Sequence, residues 1–288
     1  MSIPIIAGLS ALADRFDGLI LDLWGVIHDG VEAYAGAREA LVAIRAAGKS
    51  TLLLSNAPRR SDALVTQLDK MGIGRELYDF VLSSGEAVHL ELKDRTDPFY
   101  AVLGRKLYHL GPERDRNVYD GLDYRPVPLD QADFILNTGP VELTETLADY
   151  QALLAEGVGR GLPMVCANPD HVVIRQGARI MCAGELASRY AELGGRVSTR
   201  GKPDPAIYGQ VSSILGAAKD RILAVGDALH TDIRGANGAG IGAIFVTQGI
   251  HAEELGIRPG DIPDASRLDE VVARHGDRPL AALPTLYW

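Results

Sequence analysis

Short apolar runs alternate along the chain with longer stretches in which apolar residues recur every three or four positions. The runs show no alternation of apolar and polar side chains, which is typical of strands covered on both faces of a parallel sheet. The longer stretches have the spacing of amphipathic helices. Strands are predicted at 18–22, 50–54, 79–82, 99–103, 133–136, 163–166, 221–225 and 242–246, and helices at 35–47, 60–71, 144–156, 204–215 and 267–275. This order predicts an α/β fold with a doubly wound, Rossmann-like parallel sheet.

Composition narrows the class of protein further. The chain has 288 residues, of which 47% are hydrophobic, and a formal net charge of −9. Such a chain can bury a core, and its charge would repel a phosphate backbone, so we expect no nucleic-acid partner. No uncharged apolar run reaches the ~18 residues of a membrane span, and residues 1–14 lack the basic start of a signal peptide. We therefore expect a cytoplasmic protein with no membrane partner, in which Cys166 and Cys182 are buried free thiols.

Polar side chains follow three of the predicted strands at the point where each strand ends. In open α/β sheets the ligand lies outside the carboxyl ends of the strands, so these side chains are candidates for one site. A further segment, Gly201-Lys202-Pro203, precedes the helix at 204–215. The candidates in chain order are Asp22, Ser55, Asn56, Lys202, Asp227 and Asp232. Arg59 and Arg60 follow Ser55 and Asn56 in the chain. We interpret these two arginines as the solvated first turn of a helix.

Three carboxylates at one sheet edge repel one another unless a cation neutralises them. Mg²⁺ is a hard cation that takes oxygen ligands and commonly binds one or two carboxylates. A lysine beside them suits an anionic substrate, and a hydroxyl with backbone N–H groups suits a phosphate. A carboxylate can also attack phosphorus to give an aspartyl-phosphate. The set therefore predicts metal-assisted phosphoryl transfer, although any single aspartate could instead be a helix N-cap.

Four short motifs carry a resemblance to a known family. Asp22-x-x-Gly-Val, Leu-Ser55-Asn56, Gly-Lys202-Pro and Gly-Asp227-x-x-x-Thr-Asp232 resemble, in this order, the motifs of the haloacid dehalogenase-like superfamily. The long insert between the second and third motifs resembles the class IIA branch, which contains sugar phosphatases and 4-nitrophenylphosphatase-like enzymes. The resemblance implies a catalytic core at 1–97 and 199–288. It also implies an inserted α/β cap at 98–198 that sets substrate specificity, and a homodimer.

The resemblance also implies a role for each matching residue. Asp22 would be the nucleophile, Ser55 and the backbone N–H of Asn56 would hold the phosphoryl group, and Lys202 would neutralise the charge of the nucleophile and of that group. The substrate would be a small phosphorylated metabolite. The implied Mg²⁺ ligands are Asp22, the backbone carbonyl of Trp24 and Asp227, with Asp232 beside them either as a ligand or acting through water and Lys202. In the cap, Asn168 and Asp170 are candidate substrate contacts, although a turn explains Asn-Pro-Asp equally well.

One position departs from the family pattern. Phosphatases of this superfamily resemble Asp-x-Asp at the first motif, and the second Asp serves as general acid and base. Here that position is Trp24, whose indole cannot exchange the proton. A positioned acid or base contributes ~10²–10⁴-fold, or roughly 3–5.5 kcal/mol of barrier. His28 and Asp29, in the loop after the motif, are candidate replacements, and His28 is alternatively a packed loop histidine.

Three interpretations of Trp24 remain open. The chain could be a phosphatase with a replaced acid or base, or a phosphatase slowed by its loss. It could catalyse another reaction of the superfamily, such as phosphonate or carbon–halogen cleavage, where that Asp is also absent. It could also be a binding or regulatory protein that holds a phosphorylated metabolite with little turnover.

Overall fold

Two parallel sheets and one hairpin contain all the strands of residues 2–288, the part of the chain that the computed structural model describes. The strands are β1 (Gly18–Asp22), β2 (Ser50–Ser55), β3 (Phe80–Ser83), β4 (Lys106–Leu110), β5 (Arg125–Pro126), β6 (Phe134–Asn137), β7 (Met164–Cys166), β8 (Val172–Arg175), β9 (Ala178–Met181), β10 (Val197–Thr199), β11 (Ile222–Gly226), β12 (Gly242–Val246) and β13 (Ala281–Leu283). Apart from 99–103, each predicted strand matches an observed strand to within one or two residues.

Helices connect the strands, as the predicted alternation requires. They are α1 (Ala37–Ala46), α2 (Ser61–Lys70), α3 (Ser84–Asp94), α4 (Pro98–Ala101), α5 (Leu147–Gly159), α6 (Ala183–Glu192), α7 (Pro205–Leu215), α8 (Arg234–Ala239), α9 (Ala252–Leu255) and α10 (Ala265–His275). Shorter 3-10 segments include Leu9–Arg15 and Glu113–Val118, and a π-helical turn spans Leu229–Ile233.

The larger sheet has the order β13-β12-β11-β1-β2-β3, and all its strands are parallel. Successive residues of β1 point to opposite faces, and both faces are covered. Leu19 and Leu21 join a cluster with residues of α1 and α2, whereas Ile20 joins one with residues of α7 and α10. The sheet is therefore doubly wound, as predicted. The strand order reverses at β1, which is where open α/β sheets form their ligand crevice.

The smaller sheet belongs to the segment between β3 and β11. Its order is β10-β7-β6-β4-β5, again parallel, and the antiparallel hairpin β8–β9 forms a third unit. An α/β core with a separate inserted α/β segment confirms the predicted fold class. The predicted cap limits, 98 and 198, stay a prediction, since α4 begins at Pro98 and β10 continues to Thr199.

The strand predicted at 99–103 is wrong. Residues Pro98–Ala101 form α4, because Asp97 accepts a hydrogen bond from the Phe99 amide at 2.7 Å and Pro98 occupies the first turn. Asp followed by Pro is a helix-start signal that outweighs the apolar run after it. The next strand is β4. Its polar residues Lys106 and His109 interrupt the apolar run by which a buried strand is recognised.

Both ends of the described chain pack on the body of the core. The 3-10 segment Leu9–Arg15 leads into β1, and its first residue, Leu9, donates its amide to the Tyr287 carbonyl at 2.9 Å. The Leu286 side chain is only 1% exposed, and the Trp288 ring packs edge-on against Phe16. The apolar tail thus docks on the core of its own chain. No helix within residues 2–288 combines the length and the apolar composition needed to cross a bilayer.

Docking of the tail should stabilise the core. We expect Leu286→Ala to lower the free energy of unfolding by about 2–5 kcal/mol, because it removes a fully buried side chain. Urea unfolding followed by circular dichroism measures this. Tyr287→Ala is the matched control, since that side chain is 59% exposed and should cost far less. Equal losses from the two variants would contradict a packed tail.

Candidate active site

The carboxyl ends of three adjacent strands bring the first, second and fourth motifs to one edge of the larger sheet. Asp22 ends β1, Ser55 ends the neighbouring β2, and Asp227 follows β11 on the other side. Asp232 lies in the π-helical turn that comes next, and all four side chains are buried. The strands are buried and apolar, and their packing fixes the backbone at this edge of the sheet. The polar side chains at the strand ends are therefore held in fixed positions.

Lys202 connects two of these carboxylates. Its Nζ lies 2.5 Å from Asp22 Oδ1 and 2.7 Å from Asp232 Oδ1, and the residue is 3% exposed. Burial alone would lower the pKa of Lys202, but the two carboxylates raise it well above its ordinary value. The lysine therefore stays positively charged between them.

The carboxylates still outnumber the lysine. Asp22, Asp227 and Asp232 each offer an oxygen within 4.8 Å of the others. Burial, opposed by Lys202, raises the pKa of Asp22 well above its ordinary value. Burial and the charge of Asp232 raise the pKa of Asp227 to about 7. Three buried carboxylates facing one ammonium group form a donor set that fits a hard divalent cation.

Gly25 lets the first motif approach the fourth. Its φ is +82°, and a Cβ atom there would overlap the Asp227 carboxylate. Glycine is thus required at this position for the backbone angle and for space. The Asp227 carboxylate is fixed on its other side by the Ile250 amide, which donates to Oδ2 at 2.7 Å.

The Asn56 side chain joins the second motif to the third and to the inserted segment. Its Oδ1 accepts from the Lys202 amide at 2.8 Å, and its Nδ2 donates to the Lys202 carbonyl at 3.0 Å. The same Nδ2 donates to Asp170 Oδ1 at 2.7 Å. Asp170 is placed for this by its turn, where its amide donates to Asn168 Oδ1 at 2.9 Å. The Asn-Pro-Asp turn is therefore present, and it also reaches the site.

Trp24 makes a second contact with the inserted segment. Its indole Nε1–H donates to the backbone carbonyl of Ile174, in β8, at 2.7 Å. The ring lies over Gly30, where a Cβ atom would overlap it. The side chain at the family's acid/base position is thus an anchor between the core and the hairpin β8–β9.

Neither candidate replacement has the surroundings of an acid that meets the substrate. His28 is 3% exposed, packs edge-on against Trp24, and its Nδ1 accepts from the Gly30 amide at 3.0 Å. Burial lowers the pKa of His28 to about 4, which keeps the ring neutral. Asp29 does line the cavity described below, but its Oδ1 is occupied by the amides of Val31 and Glu32.

One cavity of about 430 Å³ collects the predicted side chains from the core and the inserted segment. Of the residues predicted from the sequence, those that line it are Asp22, Trp24, Asp29, Ser55, Asn56, Asn168, Asp170, Lys202, Asp227 and Asp232. His28 is not among the lining residues. The structure thus brings ten of the eleven candidates together.

Sequence analysis missed three arginines that also line this cavity, Arg59, Arg114 and Arg175. Interpreting Arg59 and Arg60 as a solvated turn is wrong. The Arg59 side chain is only 25% exposed and faces the cavity, while Arg60 pairs with Glu86 at 2.6 Å. The position of Arg59 directly after the second motif was the available signal, whereas nothing local marks Arg114 or Arg175.

The turn that carries Asp232 is braced from behind by a histidine. His251 Nε2 accepts from the Leu229 amide at 3.2 Å, and its Nδ1 bonds to Glu254 at 2.9 Å. The nitrogens of His230, His251 and His275 lie within 4.8 Å of one another. Because both ring nitrogens of His251 already have partners, we assign this cluster a positioning role.

Two family models match the chain. One, described as haloacid dehalogenase-like hydrolase, matches residues 19–125, and the other, described as HAD-hydrolase-like, matches residues 199–272. Together they include all four motifs.

Known proteins of similar sequence and structure agree with the models. A crystal structure of a haloacid dehalogenase-like hydrolase from Brucella suis 1330 is 35% identical, covers 98% of this chain and 99% of its own, and has a TM-score of 0.83. D-glycerol 3-phosphate phosphatase from Mycobacterium tuberculosis is 27% identical over 85% of this chain and 66% of its own length. A structure of glycerol phosphate phosphatase from that organism in complex with calcium is 26% identical, with a TM-score of 0.62 over 89% of this chain and 75% of its own. The chain belongs to the haloacid dehalogenase-like hydrolase family.

Proposed function

We propose that this protein is a Mg²⁺-dependent phosphatase that hydrolyses a small phosphorylated metabolite through an aspartyl-phosphate at Asp22. The observation that carries the proposal is the Lys202 ammonium group between Asp22 and Asp232, at the end of the central strand. This arrangement holds a nucleophilic carboxylate beside a fixed positive charge. Ser55 and Asn56, on the adjacent strand end, are placed to hold the transferring group.

The chain's residues would act in two steps. An oxygen of Asp22 attacks phosphorus, the P–O bond of the ester breaks, and the departing oxygen takes a proton from solvent. Water then attacks the phosphorus of the aspartyl-phosphate, which releases inorganic phosphate and restores the carboxylate. Lys202 offsets negative charge on the phosphoryl oxygens in both steps.

Four groups would hold the metal, namely Asp22, the Trp24 carbonyl, Asp227 and Asp232. When bound, Mg²⁺ supplies positive charge that keeps the buried carboxylates ionised and stabilises charge on the phosphoryl group. Structures of the glycerol phosphate phosphatase relative in complex with calcium and in complex with magnesium support a divalent cation for this protein.

Trp24 determines what kind of ester reacts well. No carboxyl group stands at its position to protonate the leaving oxygen, so the leaving group must tolerate departing as an anion. Aryl and acyl phosphates meet that requirement, whereas alkyl phosphates lose the ~10²–10⁴-fold that a general acid supplies.

A phosphometabolite-binding protein with little turnover is the second candidate, and Trp24 is the observation that favours it.

Phosphonate cleavage through an imine would need a cap lysine, and Lys202 is the one lysine among the cavity residues that the structure describes. The cytoplasmic location and the homodimer stay predictions.

Release of inorganic phosphate from a panel of aryl, acyl, sugar and nucleotide phosphates tests the proposal. We expect Mg²⁺-dependent turnover that Asp22→Asn abolishes, because the variant lacks the nucleophile. Turnover that is absent throughout the panel, or equal in the two proteins, would contradict the proposal. Binding of phosphate esters without turnover would then support the second candidate.

Replacing Trp24 should change the ranking of substrates. We expect the wild-type protein to hydrolyse 4-nitrophenyl phosphate far faster than glycerol 3-phosphate. Trp24→Asp should narrow this ratio by about 10²-fold or more, because it restores a proton donor. Trp24→Phe is the control, since it loses the bond to Ile174 without gaining a carboxyl group. If the two variants have the same ratio as the wild type, the missing acid does not limit the reaction.

The Mg²⁺ site can be tested with two matched glycines. We expect Gly25→Ala to abolish the rise in melting temperature that Mg²⁺ produces in the wild type, because the new Cβ displaces the Asp227 carboxylate. Gly36→Ala is the control, since its φ is +85° and nothing lies within 4 Å of the added atom. It should carry the same backbone strain and keep the Mg²⁺ response. Mg²⁺ stabilisation that survives in Gly25→Ala would contradict this metal site.

A further inference from the structure

Three arginines reach the cavity from different parts of the fold. Arg59 follows β2 in the core, Arg114 lies in the 3-10 segment Glu113–Val118, and Arg175 ends β8. None of them forms an ion pair with Asp22 or with the other carboxylates around Lys202, within residues 2–288. They are therefore not part of the charge balance at the phosphoryl end of the cavity.

Among residues 2–288, Asp115 is the one carboxylate that forms ion pairs with these arginines. Asp115 is 1% exposed, and its Oδ1 lies 3.4 Å from Arg114 Nε and 4.0 Å from Arg59 Nε. A separation of 4.0 Å is too long for a hydrogen bond, so most N–H groups of Arg59 remain available. Its Nη2 donates to Gln67 Oε1 at 2.8 Å, which fixes the direction of the guanidinium group.

Arg175 has no ion-pair partner among residues 2–288, although the residue lines the cavity. Arg59 and Arg114 both lie within 4.0 Å of Asp115 Oδ1, so these two guanidinium groups are neighbours. Burial lowers the pKa of Arg59, Asp115 opposes this, and the charges of Arg114 and Arg175 lower it further. The three arginines thus bring three positive charges to the cavity, and Asp115 is their one ion-pair partner among the described residues.

The direction of the reaction places the leaving group near the inserted segment. In phosphoryl transfer the attacking and leaving oxygens lie roughly in line with phosphorus. Because Asp22 attacks from the core, the rest of the substrate extends away from the core. Arg114 and Arg175 belong to the segment on that side.

We propose that Arg59, Arg114 and Arg175 form a second anion site, and that the substrate is a phosphate monoester whose leaving group carries a carboxylate or a second phosphate. This inference rests on the proposed function for the position of the phosphoryl group. The planar guanidinium group suits either oxyanion, because it can donate two parallel hydrogen bonds to it. Asp115 orients Arg59 and Arg114 from behind.

A purely structural role for the arginines is the competing explanation. The Arg59–Asp115 pair joins the core to the inserted segment and could simply hold the two together. Arg175 separates the explanations, since it has no carboxylate to hold. Arg179, on the same hairpin, is exposed and does not line the cavity, and it therefore provides a matched control.

Binding to the Asp22→Asn variant tests the site without turnover. Isothermal titration calorimetry would compare 3-phosphoglycerate with glycerol 3-phosphate, and fructose 1,6-bisphosphate with fructose 6-phosphate. We expect the member with a second anionic group to bind about tenfold more tightly or better in at least one pair. The pair that shows the preference identifies the second group as carboxylate or phosphate.

Adding Arg175→Gln should remove the preference and leave the affinity for the ester without a second anionic group nearly unchanged, whereas adding Arg179→Gln should keep the preference. Equal affinities within both pairs, or equal losses from the two arginine variants, would overturn the second anion site. The proposed function fails separately, through the absence of Asp22-dependent phosphate release from the wild-type protein. Selective binding of the esters that carry a second anionic group would still support the anion site in that case.

Discussion

The contact of one ammonium group with two carboxylates, Lys202 with Asp22 and Asp232, is the interaction on which the site depends. The three residues are far apart in the chain, since Lys202 lies 180 positions after Asp22. Charges buried this deeply are tolerated only when they are paired. Both faces of the larger sheet must therefore be packed correctly before the loops after β1 and β11 can present their carboxylates to the lysine. The site of this chain therefore depends on the correct folding of the larger sheet.

Two residues at the proposed phosphoryl end of the cavity also contact the inserted segment. Asn56 binds Lys202 on one side and Asp170 on the other, and Trp24 binds Ile174. These contacts link the inserted segment to the first and second motifs. The Trp24 side chain cannot transfer a proton, but its indole N–H makes a polar contact with the hairpin β8–β9. Under the proposed function, this arrangement favours substrates that have a good leaving group.

Much of the fold was predictable because fully buried parallel strands leave a local signal. The runs at β1, β2 and β11 predicted the sheet edge, and the residues after them predicted the phosphoryl end of the cavity. The rest depends on tertiary contacts. The half-buried hairpin β8–β9 has no distinctive apolar run, so the contact of Trp24 with Ile174 and the position of Arg175 could not be inferred. Asp97-Pro98 did carry a helix-start signal, and the apolar residues after it obscured that signal.

Trapping the covalent intermediate tests the central claim most directly. The protein would be mixed with Mg²⁺ and 4-nitrophenyl phosphate, quenched in acid within milliseconds to seconds, and digested for mass spectrometry. The account predicts a phosphoryl group on the peptide that contains Asp22. It should accumulate, because Trp24 cannot activate the water that removes it, and it should be absent from Asp22→Asn. Release of 4-nitrophenol and phosphate at the same rate from both proteins, with no phosphorylated peptide, would contradict the account.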